Sequence, residues 1–565
     1  MHELIIRGGT VVDGTGAEPR TADVAIDDGV VTAVGRVDER GHREIDADGL
    51  AVLPGWVDVH THYDGQATWD PLLTPTAWHG VTTAVFGNCS VGFAPVRPGT
   101  EPFLINLMEG VEDIPGTVLA EGVDFRWESF GEYLDALESM PRALDIGAQV
   151  PHAALRFYVM GERGADHAEV PTADEIGEMG RLTVEALRAG ALGFSTSRTK
   201  KHRAADGRFT PSLTSGADEL LGIAEAIGAA GLGVLQANSD FGEPVELELL
   251  RRMGEVSGRP VSMSILQIDQ DPDRWRATMK GIEEANADGV VMRGQVGSRP
   301  IGILMGLDAT VHPFGANPTY REIADLALAE RVAALRRPEV RDRILAAPRD
   351  GGFDQWMARA LGATFELGDP PDYEPDPSTS VAARAAREGT DPFALVYDLL
   401  LGDDGRALLY YPFESYSGGD LEVIREMLTH PHTFAGLSDG GAHVGTICDA
   451  SYPTYLLTHW VRDRSRGERL PIEHVVHRQT SAPARHIGLT DRGELVPGQR
   501  ADVNVVDLDA LRIEPPRMVR DLPAGGKRLV QGAVGYRHTF VAGVETWADG
   551  EHTGALPGRL LRGAR

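Results

Sequence analysis

Cysteine is nearly absent: Cys89 and Cys448 are the two thiols in 565 residues. So few exclude a disulfide framework. No run of about 18 apolar residues occurs, as a membrane-crossing helix needs. The opening segment MHELIIRGGTVVDG lacks the basic start and long apolar core of a signal peptide, so the cytoplasm is the expected location. Positive charge is short too: 54 Lys and Arg stand against 84 Asp and Glu, a net charge of −30. So acidic a surface repels phosphate backbones and anionic membranes, which argues against nucleic acid and membrane as partners. What is present is ordinary for a folded chain, 42% hydrophobic and 24% charged, and excludes general disorder. At roughly 100–200 residues per domain, the length allows about three to five domains, or one large barrel with an accessory domain.

Both ends of the chain read as short strands punctuated by glycine. LIIRGG, TVVDG, DVAIDDG and VVTAVG open it, and ADVNVVDLDAL and TFVAGVETWADG repeat the texture near the close. Residues 1–52 and 486–565 are therefore expected to build one small composite β-domain, since chain ends commonly lie close together. Between them, short strands alternate with longer helices. Strand candidates are 51–60, 82–89, 146–152, 191–196, 233–238, 260–267, 289–296 and 434–439, with helices such as 173–188, 217–229 and 245–255 between them. Alternation of this kind predicts an α/β fold with a parallel sheet, and eight strands are what a (β/α)8 TIM-like barrel over 53–485 needs. The segment of about 302–429 is too long for one strand–helix unit. It holds helical pieces and the acidic, proline-rich LGDPPDYEPDPSTS, and reads as an insertion that either covers the barrel mouth or merely decorates it.

The strongest chemical signal is VLPGWVDVHTHYDG. His60 and His62 stand two apart on a strand, so both side chains point to one face. At the C-terminal end of a first barrel strand that face opens into the active-site mouth. Two neutral imidazoles side by side suit a first-row divalent metal.

These residues and their surroundings carry a resemblance. RGGTVVDGTG, PGWVDVHTHYD, TWDPLLTPTAWHGVTTAVFGNCSVGFAPVRP, LGFSTS, GLSDGGAH, GELVPGQRADVNVVD and TGALPGR are similar to segments of the amidohydrolase superfamily, and within it of the D-aminoacylase (N-acyl-D-amino-acid deacylase) group. The likeness reaches both ends and thins between about Lys200 and Leu400. It implies a metal-dependent (β/α)8 hydrolase with a β-domain built from both termini. It also implies that His60, His62, Cys89 and Asp439 are metal ligands, and that Asp439 accepts the proton of the attacking water. Two departures accompany it. The group has a ligand histidine after the fifth strand, where Ala237 or Asn238 stands here. It has another after the sixth, where Ile265 stands, with Gln267 in the place of a following lysine. The four remaining residues suffice for one divalent metal, zinc being expected. Four protein ligands, however, fill a tetrahedral shell that catalysis needs open. Asp439 is loose, the ion takes a fifth ligand, or Cys89 is unbound; these alternatives stay open at this point.

Other residues rank below these. His152 sits at a mouth position after the third strand, to bind substrate or to support the structure. His443, four residues after Asp439, suits proton transfer or support of the ligands. Arg198 and His202 follow the fourth strand, where a cation suits a substrate carboxylate. Arg293 and Arg299 flank the seventh strand as rival clamps. His79 is expected to cap or pack, and Cys448 to be a buried, inert thiol. The function expected is hydrolysis of a small-molecule amide, plausibly an N-acyl (D-)amino acid. The alternatives are opening of a cyclic amide, as in hydantoinases or dihydroorotases, and a binding scaffold with a degenerate metal site. The oligomeric state is not legible.

Overall fold

The computed structural model describes residues 1–349 and 351–563. Its centre is a ring of parallel strands: β1 (Trp56–Asp58, resumed at His60–Thr61), β2 (Val81–Phe86), β3 (Asp145–Pro151), β4 (Gly193–Arg198), β5 (Val234–Ser239), β6 (Val261–Ser264), β7 (Met292–Val296) and β8 (Thr433–Ala435, resumed at Leu437–Gly440). They pair in chain order from β1 to β8. The ring closes where Leu437 of β8 lies opposite His60 of β1. Each of the eight strand segments read from the sequence carries one of these strands, and the fold is the expected (β/α)8 barrel.

The strands read as unbroken apolar runs because helices cover one face and the barrel interior the other. All six residues of β2 are buried. Long helices return the chain between strands: α1 (Glu101–Glu112), α2 (Ala173–Ala189), α3 (Ala217–Ala230), α4 (Pro244–Ser257) and α5 (Arg274–Ala287). The helix α2 shows why such segments fold locally. Thr172 accepts from the Glu175 backbone N–H while the Glu175 carboxylate accepts from that of Thr172 (3.2 and 2.7 Å), a capping box that starts the helix. Met179, Thr183, Ala186 and Leu187 form its buried stripe, and Gly190 at φ +121° ends it.

A nine-stranded sheet joins the two ends of the chain outside the barrel. Ala51–Pro54 is its seam, pairing parallel with His2–Val11 and antiparallel with Val503–Val506. Leu4, Ile6, Val24, Val52, Val503 and Phe540 form its separate apolar core. The last residues leave this sheet: the Arg559 N–H donates to Asp145 at the start of β3 (2.9 Å), and Leu560 bridges to Ile146.

Between β7 and β8 the chain builds a body with its own core around Met305, Phe314, Ile344, Met357 and Val396. Its antiparallel sheet sets Gly302–Met305 and Phe365–Glu366 on either side of Leu409–Pro412. It touches the barrel at the mouth. Ser415 Oγ accepts from the Gln267 N–H beyond β6 (3.1 Å), and Lys201 beyond β4 pairs with the buried Glu414.

Candidate metal centre

The C-terminal rim of β1, β2 and β8 is shaped by backbone that only certain residues tolerate. Gly87 ends β2 at φ +80°, where an added Cβ would lie 2.2 Å from the Gln149 carbonyl oxygen. Asn88 then spends its amide on the carbonyls of Val59, Thr61 and Val85 (3.3, 3.2 and 3.0 Å), clamping this turn to β1. Cys89 follows at φ +53°, its N–H donating to Gln236 Oε1 (3.3 Å). At the end of β8, Asp439 lies at φ +49°. The Gly440 carbonyl accepts from the His62 N–H (2.8 Å), and Ser438 donates to the buried Asp58.

These turns bring four side chains together. Ligand atoms of His60, His62 and Cys89 all lie within 4.8 Å of one another. His60 Nε2 is 3.2 Å from Cys89 Sγ, and Asp439 Oδ1 is 3.5 Å from Nε2 of both histidines. Ligands of one tetrahedral zinc, with bonds of about 2.3 Å to sulfur and about 2.0–2.1 Å to nitrogen and oxygen, stand roughly 3.5 Å apart. The distances of 3.2 and 3.5 Å match that separation. His60 donates from Nδ1 to Gln295 Oε1 (2.6 Å), which leaves Nε2 free as a ligand.

The electrostatics suit a cation. Burial lowers the pKa of both imidazoles, that of His62 to about 4, so each is neutral with a lone pair available. Burial pushes the Cys89 thiol well up, and the Glu112 and Asp439 carboxyls add to this. Burial also raises Glu112 well above the usual range, and Asp64 to about 7. Burial would raise Asp439 as well, but the contact with His62 and the nearby imidazoles His60 and His443 outweigh it and hold the carboxyl well below the ordinary range. The ion-pair partners of Glu112 and Asp439 are histidines alone among the described residues. Oxygens of Asp64 and Glu112 are buried without a hydrogen bond.

The second-ranked residues scatter. His443 lies at the rim, with Nε2 3.7 Å from Glu112 Oε2. His202 also lies there: Nδ1 is 3.0 Å from Ser197 Oγ, burial lowers its pKa to about 3, and His443 and His62 act on it in the same direction. His152 is spent on support, between Thr196 Oγ1 (3.0 Å) and Glu219 Oε1 (3.1 Å), which Arg156 also grips. Arg198 donates to the Ser215 carbonyl (2.6 Å). Arg293 corrects a reading: it is the second residue of β7, at the end away from the mouth, and bonds Asn286 and the Met292 carbonyl. Arg299 is buried and committed to Ser451, Cys448 and Asp449. His79 packs between Thr454 and the Gln531 carbonyl, and burial pushes the Cys448 thiol to about 12.

Near the end of β5, Asn238 directs its amide at the Cys89 sulfur (3.7 Å), and Ile265 just beyond β6 is buried against Gly294. Neither supplies an imidazole. Sequence reasoning missed Glu112, Gln295 and Gln236. Only Glu112 left a trace, as an acid in phase with the apolar stripe Leu104, Met108 and Val111 of α1.

A barrel with such a donor set at this end of its strands defines a metallohydrolase-type scaffold. The chain belongs to the amidohydrolase family, whose model matches residues 43–552. A D-aminoacylase of Alcaligenes xylosoxydans xylosoxydans is 27% identical over 569 residues, covering 99% of this chain and 97% of that protein. A solved D-aminoacylase, described for its binuclear metal centre with one-metal activation and second-metal attenuation, is 26% identical, with a TM-score of 0.66 over 100% of both chains. An N-acyl-D-glutamate deacylase of Bordetella bronchiseptica, solved with zinc and a phosphonate mimic of the tetrahedral intermediate, is 25% identical, with a TM-score of 0.66 over 99% of both chains.

Proposed function

We propose that this chain is a metal-dependent hydrolase that cleaves the amide of an N-acyl amino acid, the D configuration being the first choice. It works with one divalent ion, zinc before others, in the cytoplasm. The spacing of His60 Nε2, His62 Nε2, Cys89 Sγ and Asp439 Oδ1, that of donors around one ion, carries the reading. Relatives that deacylate N-acyl-D-amino acids along their whole length supply the substrate class. A single ion follows from Asn238 and Ile265, which remove the donors of a second.

A divalent ion held by these residues supplies a Lewis acid beside the scissile carbonyl and the attacking water. The chain's own groups do the rest. Asp439 takes a proton from the water as its oxygen attacks the carbonyl carbon, then passes it to the nitrogen as the C–N bond breaks, releasing the carboxylic acid, which keeps the water's other proton, and the amine. Its carboxyl is held well below the ordinary range, so it is ionised and able to accept a proton. Its side chain is 17% exposed against 1% for each of the two ligand histidines, so it is the loose donor that leaves a position open to the mouth. His202 and His443, beside it, orient the substrate.

The test is metal content per chain by elemental analysis, with hydrolysis of N-acyl D- and L-amino acids and of cyclic amides measured alongside. We expect about one equivalent in the wild type, lost in His60→Ala, and hydrolysis that vanishes with chelation and returns with one equivalent of zinc. Two equivalents would refute the single-ion part. No metal after reconstitution would leave only the binding scaffold, and turnover of cyclic amides alone would transfer the reading to ring opening.

A further inference from the structure

His62 has a second nitrogen that the four donors leave unused. When Nε2 serves as a ligand, Nδ1 carries the proton and must find an acceptor or remain a buried orphan. The atom nearest in role is Glu112 Oε1, 3.3 Å away. His62 Nδ1 and Glu112 Oε1 are both buried and neither has a hydrogen-bond partner, so two unsatisfied atoms face each other at this distance. His60 has the same need and meets it with Gln295, a neutral amide. Glu112 makes the two rings unequal.

Glu112 reaches this place through a helix with no catalytic residue on it. The apolar stripe Leu104, Leu107, Met108 and Val111 buries α1, and position 112 falls in phase with it, so the carboxyl is carried inward. The end of the helix is tied to the loop beyond Asp439. The Glu112 carbonyl accepts from the His443 N–H, and Glu112 Oε2 faces His443 Nε2 at 3.7 Å. Asp113, at φ +52°, bonds Thr446 Oγ1 (2.6 Å) and the Gly445 N–H (3.2 Å). One carboxyl thus stands between a ligand imidazole of β1 and the rim histidine that follows β8.

We propose that Glu112 is a positioning residue of this centre: it accepts from His62 Nδ1, fixing that ring's tautomer and orientation, and couples the ring to the His443 loop. The inference rests on the one-metal reading above. It concerns a residue that touches neither the ion nor the substrate. Carboxylate partners of metal-bound histidines raise ligand basicity, and removing one typically costs 10–100-fold in metal affinity.

The experiment measures zinc dissociation by competition with a chelator, for the full chain and for Glu112→Ala, Glu112→Gln and Glu112→Asp, with circular dichroism and thermal midpoints recorded beside it. Glu112→Ala is expected to weaken zinc about 10–100-fold. Glu112→Gln keeps an acceptor oxygen at the same reach and should recover most of the affinity. Glu112→Asp keeps the carboxyl but draws the oxygen back, should weaken zinc as alanine does, and stands in if the alanine variant does not fold. A purely structural role would lower the thermal midpoint in all three without this order. Wild-type affinity in Glu112→Ala or Glu112→Asp, or glutamine as weak as alanine, overturns the inference alone. A wild-type chain that takes up no zinc overturns the one-metal reading, and the inference falls with it.

Discussion

Replacing Asp439 by asparagine isolates the proton acceptor from everything else the residue does. Asp439 sits at φ +49°, a left-handed conformation that asparagine tolerates nearly as well as aspartate, whereas alanine there would add strain. The amide keeps the length of the side chain and one oxygen in reach of the two Nε2 atoms now 3.5 Å from Oδ1. It removes the basic oxygen. A positioned general acid–base contributes about 10²–10⁴ in rate, so kcat of the metal-saturated variant should fall about 1,000-fold, or about 4 kcal/mol of barrier. His60, His62 and Cys89 remain within 4.8 Å of one another, so metal content under excess zinc should stay near the wild-type value. The assay is release of free amino acid under saturating zinc, with elemental analysis of the same sample and a thermal midpoint to show that the fold holds. A fully metallated Asp439→Asn with kcat within threefold of wild type (about 0.7 kcal/mol) would refute the role of Asp439 as base. A variant that loses its metal instead would show that the residue acts first as a ligand.

Two further predictions concern the frame of the site. Gly87→Ala places a Cβ 2.2 Å from the Gln149 carbonyl oxygen at φ +80°, so it should destabilise the chain by about 3 kcal/mol or more and weaken zinc through Cys89. An unchanged denaturation midpoint would show that the turn relaxes freely. Glu374 anchors the inserted body through His459 (2.9 Å) and Arg464 (3.2 Å). Burial opposes its ionised form, but these partners outweigh burial and take its carboxyl from 4.5 to about 2. Its folded pKa is depressed, so its stabilisation is present above about pH 4.5 and lost as pH falls through about 2. After allowance for solvent screening this is about 2 kcal/mol at neutral pH. The gap in thermal midpoint between wild type and Glu374→Gln should close over that range; a gap that does not change with pH would refute the account.

The barrel was legible because its signal is local and repeated. Apolar runs of strand length alternate with capped helices, and parallel order follows from the alternation. His60 and His62 were legible for the same reason, since strand period puts them on one face. The misreadings come from strand ends, which composition marks poorly. Residues 289–296 look like one strand, but β7 begins at Met292. Arg293 therefore lies near the bottom of the barrel, where it bonds Asn286. His152 reads as the end of a strand, yet β3 stops at Pro151 and a helix begins, which turns the ring toward Glu219. The approach of Glu112 to His62 could not be found by spacing, because the two lie 50 residues apart along the chain (112 − 62).

The same geometry explains how a centre can persist after losing donors from two strands. The four donors come from β1, β2 and β8, which are neighbours where the ring closes. The positions without imidazole, Asn238 in β5 and Ile265 just after β6, lie on the far side of the ring. Each near-side histidine has a polar group beside its outer nitrogen, Gln295 bonded to His60 and Glu112 3.3 Å from His62. Neither group belongs to β5 or β6. On the proposed one-ion reading, the absence of far-side imidazoles takes away ligands for a second ion without loosening the rings that would hold the first. Asn238 still reaches Cys89 at 3.7 Å, as a donor to the sulfur rather than as a rival for the ion. An amide N–H aimed at a thiolate favours the charged form that a metal requires, so Asn238 is compatible with the proposed single-ion centre.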